Sequence, residues 1–331
     1  GQLATMKDGA GEVVYDYDKS GRLTAIDRTG TPTIRYSYDD ADRVVELQVG
    51  DFYRITYTYD FLGRIAAIGT PVGKILYEYQ TGQGLVIRSL PNGVRTFWKR
   101  QVNGQLEEIT HGYFENPDDQ TYALFAKYNY SHTPDGRISA IREQSVRGEH
   151  LYRYEYDSMC RLTRATDTGF REYSYEYDDV GNRVQATATG HPDQVCTYDW
   201  AGRLMSVDGK ECRHDAAGNL TTIASATSKM DYQFDDACLL TNVNNNVFYK
   251  YDGNGTLIER QSGDERIHFI NDPFSDLWQP LVMENNVKGR TLIIWDRNAP
   301  LIIIKDGEPE YVLTDHLGSA RLIVDGSGNR S

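Results

Sequence analysis

Residues 13–26 read Val-Val-Tyr-Asp-Tyr-Asp-Lys-Ser-Gly-Arg-Leu-Thr-Ala-Ile, and this stretch predicts one β-hairpin. Val13, Tyr15 and Tyr17 fall at every second position, so they share one face of a strand. The second half of the stretch supplies the return strand. The stretch therefore shows bulky residues at every second position, followed by a short polar turn.

The turn is the segment Asp18-Lys19-Ser20-Gly21. Aspartate at the first position and glycine at the fourth are typical of a type I turn, because the carboxylate accepts turn N–H groups and glycine adopts the left-handed conformation that follows. On the return strand, Leu23 and Ile26 are three residues apart, which breaks strict alternation. A β-bulge and partial burial of both faces each explain that spacing.

The hairpin recurs along the chain as the pattern Tyr-x-Tyr-Asp-x-x-Gly-Arg. Its aspartates are 21 residues apart in two runs, which are Asp18, Asp39, Asp60 and Asp157, Asp178, Asp199. The clearest copies contribute the repeat-defining structural residues Tyr17, Asp18, Gly21, Arg22, Tyr59, Asp60, Gly63, Arg64, Tyr177, Asp178 and Gly181. With shorter or decayed copies, about a dozen units lie between residues 13 and 257.

A hairpin of this size cannot bury its own aromatic face, so successive hairpins must pair edge to edge. The predicted fold is all-β: a long antiparallel sheet of repeated β-hairpins, with roughly two dozen to thirty strands. Because sheets twist, we expect this ribbon to curl into a partial hollow spiral or barrel-like shell. The predicted organisation is therefore that of a wall around an interior.

Beyond residue 260 the tyrosines thin out while strand-sized apolar runs continue, at 266–270, 281–284, 291–295, 300–305 and 310–314. No linker-like composition separates these runs from the repeats. We therefore predict a repeat region at 1–260 and a variant C-terminal segment at 261–331 that continues the same sheet.

Composition excludes several classes of function. The 331 residues carry 48 acidic and 35 basic side chains, a formal charge of −13, which disfavours nucleic acid and anionic membranes as partners. No apolar run approaches the roughly 18 to 20 residues of a membrane-spanning helix. No signal peptide is visible at the start of the sequence, and we expect the numbering to begin inside a longer precursor.

The usual catalytic and ligand-binding motifs are missing from the sequence, so we predict no catalytic, cofactor-binding or metal-binding residues. The histidines do not stand at metal-ligand spacing. The periodic aspartates are best explained as turn formers. Equivalent cysteines of consecutive hairpins lie two strands apart, beyond disulfide reach, so all four cysteines are predicted to be free thiols; they are Cys160, Cys196, Cys212 and Cys238.

An arginine regularly follows the turn glycine, as at Arg22, Arg64, Arg137 and Arg203. Its guanidinium can lie over a tyrosine ring or pair with a turn aspartate of the adjacent hairpin. Either contact would serve to build the wall, and a smaller share of these side chains could line its interior.

The repeated Tyr-Asp pairs, together with a run at 311–326 that contains Thr-Asp-His-Leu-Gly, resemble the RHS/YD-repeat family. The run is similar to the opening of the RHS-associated core region, and the residues that carry this likeness are Asp315, His316, Gly318 and Arg321. For His316 an ordinary place in a turn is favoured over a packing role in a plug. Relatives include polymorphic toxins of bacterial competition, BC subunits of insecticidal toxin complexes, and teneurin adhesion receptors.

The resemblance implies a non-enzymatic shell segment that encapsulates and sequesters a polypeptide, either a C-terminal toxin or a partner. It implies other shell segments as further partners, no cofactor, and a protein that is secreted or delivered to the cell exterior. The alternative is a cell-surface adhesion or ligand-binding module like that of teneurins, with the interruption of the repeat at 107–122 as its contact region. The only Asp-Pro, at 272–273, lacks the Gly-Leu that follows in the release motifs of the family, and the sequence contains no recognisable release site.

Overall fold

The computed structural model describes residues 2–9, 11–113, 123–169, 171–275, 278–296 and 299–327. Within these residues, 31 strands pair antiparallel with their neighbours into one sheet. A 3-10 turn at Thr81–Gln83 is the only helical segment of the described residues. The predicted all-β class and antiparallel hairpin sheet are confirmed.

The strands group into two compact units by their contacts: unit 1 comprises Gly1–Phe97 and Tyr249–Ser331, and unit 2 comprises Trp98–Phe248. The predicted boundary near residue 260 is a different division and stays a prediction.

The N-terminal strands of unit 1 are β1 Thr5–Asp8, β2 Gly11–Tyr17, β3 Leu23–Arg28, β4 Ile34–Tyr38, β5 Val44–Val49, β6 Tyr53–Tyr59, β7 Ile65–Thr70, β8 Gly73–Gln80, β9 Leu85–Ser89 and β10 Arg95–Arg100, which extends into unit 2.

Unit 2 continues with β11 Leu106–Gly112, β12 Leu124–His132, β13 Ile138–Ser145, β14 Gly148–Tyr156, β15 Leu162–Thr166, β16 Glu172–Tyr177, β17 Arg183–Ala188, β18 Gln194–Tyr198, β19 Leu204–Val207, β20 Lys210–His214, β21 Leu220–Ala224, β22 Lys229–Phe234, β23 Leu240–Val243 and β24 Val247–Tyr251, which crosses back into unit 1. The C-terminal strands of unit 1 are β25 Leu257–Ser262, β26 Glu265–Asn271, β27 Pro280–Asn285, β28 Gly289–Asp296, β29 Ala299–Lys305, β30 Glu308–Thr314 and β31 Ala320–Val324. Strands β26 to β30 confirm the five C-terminal runs predicted from sequence.

The unusual spacing on the return strand is a β-bulge. Asp16 lies opposite Ala25 and Tyr17 lies opposite Leu23, so Thr24 is the extra residue. The bulge returns Leu23 to the face that carries Ile26. The same register shift occurs in the other repeats, so the open choice between a bulge and two-sided burial is settled for the bulge.

The hydrophobic core of unit 1 lies where its two chain segments pack against each other. Its N-terminal segment buries Val49, Ile55 and Ile75, while its C-terminal segment buries Leu301 and Ile302. The C-terminal strands thus cover a face of the N-terminal hairpins that the repeat pattern alone leaves without a partner.

Unit 2 has a smaller buried cluster on β11, β12 and β13. Ile109, Tyr128 and Ile141 belong to it, and Tyr152 and Tyr154 pack against it while partly buried. From β15 to β23, most side chains of the strand residues are only half-buried. This unit therefore leaves more of its face uncovered than unit 1.

Candidate functional site: turn clamps and the polar contacts of unit 1

The predicted turn forms around each repeat aspartate. Asp18 Oδ1 accepts hydrogen bonds from the N–H groups of Ser20 and Arg22, both at 2.9 Å, and Gly21 N–H donates to the Asp18 carbonyl at 3.0 Å. Gly21 has a φ of 84°, the left-handed conformation that follows a turn of this kind. The structure therefore places the repeat-defining aspartate and glycine in the roles expected of turn formers.

The arginine after the glycine joins this turn to the next hairpin. Arg22 Nε lies 2.6 Å from Asp18 Oδ2, and the guanidinium stands 4.9 Å from the ring centroid of Tyr38. Tyr38 Oη in turn donates to the Leu23 carbonyl at 2.7 Å. We call the aspartate, its arginine and the tyrosine of the following hairpin a turn clamp.

Turn clamps recur in both units. The arginine-to-ring distances are 4.4 Å, 4.1 Å and 4.7 Å in the three further sets Asp39–Arg43–Tyr59, Asp60–Arg64–Tyr79 and Asp157–Arg161–Tyr177. The stacking expected from sequence is confirmed for Arg22, Arg64 and Arg137, the last of which lies 4.7 Å from the ring centroid of Tyr156. Arg203 instead pairs with Asp199 at 2.7 Å. Their ion-pair partner is the aspartate of their own turn, and Arg22 additionally reaches Asp42 of the adjacent turn at 2.7 Å.

The repeat at Asp178 departs from this arrangement, and the turn at Asp215 departs in the same way through Asn219. After Gly181 stands Asn182, whose side-chain amide donates to Asp178 Oδ2 at 2.8 Å. The next residue, Arg183, lies 5.6 Å from the ring of Tyr175 within its own hairpin. The turn at Asp178 is therefore retained, but Asn182 stands in place of the arginine that would contact the next hairpin.

The clamps change the acidity of their aspartates. The backbone N–H of Arg22, followed by its guanidinium, lowers the pKa of Asp18. The same pair of donors from Arg161 lowers the pKa of Asp157. These carboxylates are therefore ionised in the folded chain at pH values where free aspartate begins to protonate.

The segment that resembles the RHS-associated core forms one more turn of the same kind. Asp315 Oδ1 accepts from the N–H groups of Leu317 and Ser319, and Gly318 N–H donates to the Asp315 carbonyl at 3.1 Å. Arg321 Nε lies 2.8 Å from Asp315 Oδ2. Arg321 follows its aspartate by six residues, whereas the arginine of a turn clamp follows its aspartate by four. His316 stands inside this turn, between β30 and β31.

A second group of contacts ties the two chain segments of unit 1 together, and the repeat pattern gave no indication of it. Tyr53 Oη donates to the Ile293 carbonyl at 3.1 Å from a fully buried side chain. Tyr77 Oη donates to Asp296 Oδ2 at 2.6 Å, and the buried Arg88 lies 3.4 Å from the same oxygen. These polar groups form hydrogen bonds and an ion pair away from bulk water. Removal of one group leaves its partner buried without a hydrogen bond, which lowers the stability of the fold.

Asp272 belongs to the same set. Its Oδ1 accepts from Tyr36 Oη at 3.1 Å and from Phe274 N–H at 3.0 Å. Burial raises the pKa of Asp272. In the sequence this residue is notable only as part of an Asp-Pro pair, yet it stands where β26 turns into β27, the position of a repeat aspartate, and that equivalence is the signal that could have found it.

The remaining sequence predictions have mixed outcomes. All four cysteines are free, as predicted, and burial raises the pKa of the Cys212 thiol. Within the described ranges, no three His, Cys, Asp or Glu side chains lie close enough to hold a metal ion, and no helix has the length and apolar character needed to cross a bilayer. Of the predicted contact region at 107–122, residues 114–122 lie outside the described residues.

The comparison with protein-family models agrees with this architecture. The family model named Teneurin YD-shell matches residues 1–113 and 120–330. The chain belongs to the teneurin YD-shell family. This family is a structural shell domain, so the chain is a shell-type module of the RHS/YD-repeat class. A search of curated proteins gave no match.

Solved structures give more distant likenesses. The structure titled TcdB2-TccC3 is 14% identical with a TM-score of 0.31, and the match covers 98% of this chain and 27% of that one. The Photorhabdus luminescens Tc holotoxin pore carrying a TccC3 mutation is 13% identical with a TM-score of 0.29, covering 98% and 26%. A porin-like protein from Bacteroides uniformis is 12% identical with a TM-score of 0.26, covering 60% and 90%. The YD-shell chain described here thus spans about a quarter of the Tc toxin chains that it matches.

Proposed function

We propose that this chain is a non-enzymatic segment of a shell wall that surrounds and sequesters a polypeptide, either a C-terminal toxin or a partner protein. The observation that carries the proposal is the repeated turn clamp in a chain of the YD-shell family. Each clamp fixes one hairpin to the next, so the wall is continuous and offers few free strand edges. The action is steric: an enclosed chain is kept from proteases and from its targets.

The two units contribute differently to this function. In unit 1 the C-terminal strands already cover the core face, through contacts such as Tyr53 to Ile293. In unit 2 the aromatic residues of the sheet are only half-buried in places, among them Tyr173 and Tyr175 on β16, and a guest can contact them there. We expect an enclosed polypeptide to contact unit 2 through aromatic surfaces, weakly and without sequence specificity. Other shell segments are the further partners, and the protein acts after secretion or delivery to the cell exterior.

A protease-protection experiment tests the proposal. A disordered, lysine-containing reporter is fused after Ser331, and its trypsin half-life is compared with that of the same reporter on an unrelated folded domain. We expect the reporter on the shell segment to survive at least about tenfold longer, because cleavage must wait for the wall to open. The Arg161→Ala variant, which loses a clamp of unit 2, should shorten that half-life. Equal half-lives on both carriers would overturn the proposal.

The name of the matching family model favours a second candidate, an adhesion or ligand-binding module of the teneurin kind. Its contact region would be the interruption at 107–122. Binding of the fluorescently labelled chain to cultured cells, lost on deletion of 114–122 and retained in Arg161→Ala, would favour adhesion over encapsulation.

A further inference from the structure

The arginine of a turn clamp faces the glycine position of the following turn. Arg22 Nη1 lies 2.7 Å from Oδ1 of Asp42, which stands at that position with a φ of 61°. Arg43 Nη1 lies 3.5 Å from the place that a Cβ on Gly63 would occupy. A side chain at the glycine position is therefore within reach of Nη1 of the preceding arginine.

The same proximity holds where another residue replaces the arginine. Gln105 Nε2 lies 3.3 Å from the place that a Cβ on Gly136 would occupy, and Asn182 Oδ1 lies 3.7 Å from the corresponding place at Gly202. The contact is therefore a property of consecutive turns, whichever side chain follows the glycine.

In unit 2 this arrangement brings a cysteine to an arginine. Cys160 occupies the glycine position of its turn with a φ of 66° and is exposed. Arg137 belongs to the preceding turn and lies 4.7 Å from the ring centroid of Tyr156, just before the cysteine's turn. A hydrogen bond to Asp135 raises the pKa of Arg137, and Cys160 adds to that rise.

Arg137 has donors without acceptors. Its turn begins with Thr133 in place of aspartate, and the Thr133 hydroxyl oxygen accepts only the backbone N–H of Arg137, at 3.1 Å. The guanidinium donates to Asp135 through Nη2. Its Nε and Nη1 are shielded from solvent, and no described residue accepts from them. In the Arg22 clamp, Nη1 is the atom that binds Asp42. An anionic acceptor at position 160 would satisfy this buried donor.

Cys238 provides an internal comparison. It also occupies a glycine position, with a φ of 61°, and is exposed. The preceding turn, however, carries Asn219, whose amide donates to Asp215 Oδ2 at 2.9 Å. Cys238 thus follows a turn without a guanidinium, whereas the two remaining thiols, Cys196 and Cys212, are buried.

We propose that hydroperoxides oxidise Cys160 to a sulfinate, which accepts a hydrogen bond from Arg137 Nη1. A cysteine sulfinate carries two oxygens and one negative charge on the atom attached to Cβ, as aspartate does. It would therefore reproduce the bridge between Arg22 and Asp42 and fasten two consecutive turns under oxidising conditions. This modification site goes beyond the shell role and does not depend on it.

The reaction consumes two peroxide molecules. In each step a sulfur electron pair forms an S–O bond while the peroxide O–O bond breaks, so the sulfur loses two electrons and the peroxide is reduced. With hydrogen peroxide, the first step yields a sulfenic acid and water, and the second yields a sulfinic acid and water. The sulfinic acid releases its proton to solvent and remains as the anion beside Arg137.

The first test follows oxidation of the intact chain by hydrogen peroxide with peptide-mapping mass spectrometry. We expect the sulfinate to form at Cys160 at least about threefold faster than at Cys238, since a guanidinium stabilises the anionic product. The two rates should become equal in Arg137→Ala. Arg137→Gln, which keeps a polar side chain without its charge, gives a second background, and circular dichroism confirms that each variant is folded. Equal rates in the native chain would overturn the proposal.

The second test measures the bridge by thermal unfolding. Aspartate stands in for the sulfinate and asparagine for its uncharged form, and both residue types tolerate the left-handed conformation. At pH 7 we expect Cys160→Asp to melt about 1 to 2 °C above Cys160→Asn, and this difference should vanish without the guanidinium of Arg137. Cys238→Asp and Cys238→Asn are the matched control pair and should melt alike.

Peroxide treatment should raise the melting temperature of the native chain relative to an equally treated Cys160→Ala variant. That variant corrects for oxidation elsewhere, including the exposed Met159 of the same turn. The proposal is overturned when the gain of Cys160→Asp over Cys160→Asn persists in folded Arg137→Ala and Arg137→Gln, or when the Cys238 pair shows an equal gain.

Discussion

A single aspartate organises each turn of this sheet, and an arginine extends that order to the next hairpin. Asp60 accepts two turn N–H groups, pairs with Arg64 at 2.7 Å, and so positions the guanidinium 4.1 Å from the centroid of Tyr79. The planar guanidinium performs both contacts at once, which an ammonium group cannot do.

Removal of that guanidinium should therefore weaken the sheet measurably. We expect Arg64→Ala to lower the melting temperature by about 1 to 3 °C, and Arg64→Lys to recover less than half of the loss. Thermal unfolding followed by circular dichroism measures this effect. Arg213→Ala is the control, since Arg213 forms an exposed ion pair with Glu211 at 3.0 Å, and it should change little. Equal effects at both arginines would contradict the clamp.

A second prediction concerns the glycine position of the turn. Cys160 stands there with a φ of 66°, where a residue with a Cβ is strained. Cys160→Gly should raise the free energy of unfolding by about 0.5 to 1 kcal/mol, because relief of strain exceeds the added flexibility of the unfolded chain. Cys160→Ala keeps the Cβ and should bring no gain. Urea unfolding of both variants decides the matter.

Asp18 and Asp272 make the stability of the fold depend on pH in opposite directions. The pKa of Asp18 is lowered, so its contribution to stability is complete above the unfolded value of 3.8 and is lost as pH falls through the folded value. The pKa of Asp272 is raised by burial, so its ionisation destabilises the fold increasingly as pH rises from 3.8 through the folded value.

Asp272→Asn keeps an oxygen for Tyr36 and removes the ionisation. We expect this variant to be more stable than the native chain at pH 7, with the difference shrinking toward pH 4. Asp18→Asn should be less stable at pH 7, with its deficit shrinking on acidification. Urea titrations across this range measure both, and a pH-independent difference for Asp272→Asn would contradict its burial as a charged group.

At the scale of the strand, alternation and turn residues were enough to predict much of the sheet. The 21-residue spacing located Asp18, Asp157 and their equivalents, because local hydrogen bonds determine a turn. The sequence did not decide whether Thr24 forms a bulge, because a β-bulge and partial burial of both faces fit the same spacing. In the structure the Thr24 hydroxyl donates to the Asp16 carbonyl at 3.2 Å, and Thr163 makes the equivalent bond to Glu155.

The bulge leads to a prediction about single-residue deletions. Removal of Thr163 leaves Leu162 opposite Tyr156 in an uninterrupted ladder, so the strand keeps its faces. Removal of Ser174 from the regular strand β16 turns part of that strand to the opposite face. We expect the first deletion to lower the melting temperature by a few degrees and the second to abolish cooperative unfolding. Similar behaviour of both variants would contradict the assigned register.

At the scale of the whole molecule, the polar contacts of unit 1 were not predictable from periodicity. Tyr36 and Asp272 are 236 residues apart, and Tyr53 reaches Ile293 across 240 residues. A repeat pattern describes how each hairpin meets its neighbours, but it carries no information about which distant strand covers a face.

Because unit 1 is built from both ends of the described chain, its two segments should depend on each other. A fragment of residues 1–248 lacks β25 to β31 and exposes the side chains of Val49, Tyr53 and Ile55, which are at most 2% exposed in the intact chain. We expect this fragment to bind a hydrophobic dye and to aggregate, whereas addition of fragment 249–331 during refolding restores a soluble complex. Tyr53→Phe should weaken that reassembly, since it removes the bond to the Ile293 carbonyl, while Tyr232→Phe in unit 2 serves as the matched control. If fragment 1–248 instead unfolds cooperatively at the melting temperature of the intact chain, the C-terminal strands do not stabilise the N-terminal hairpins.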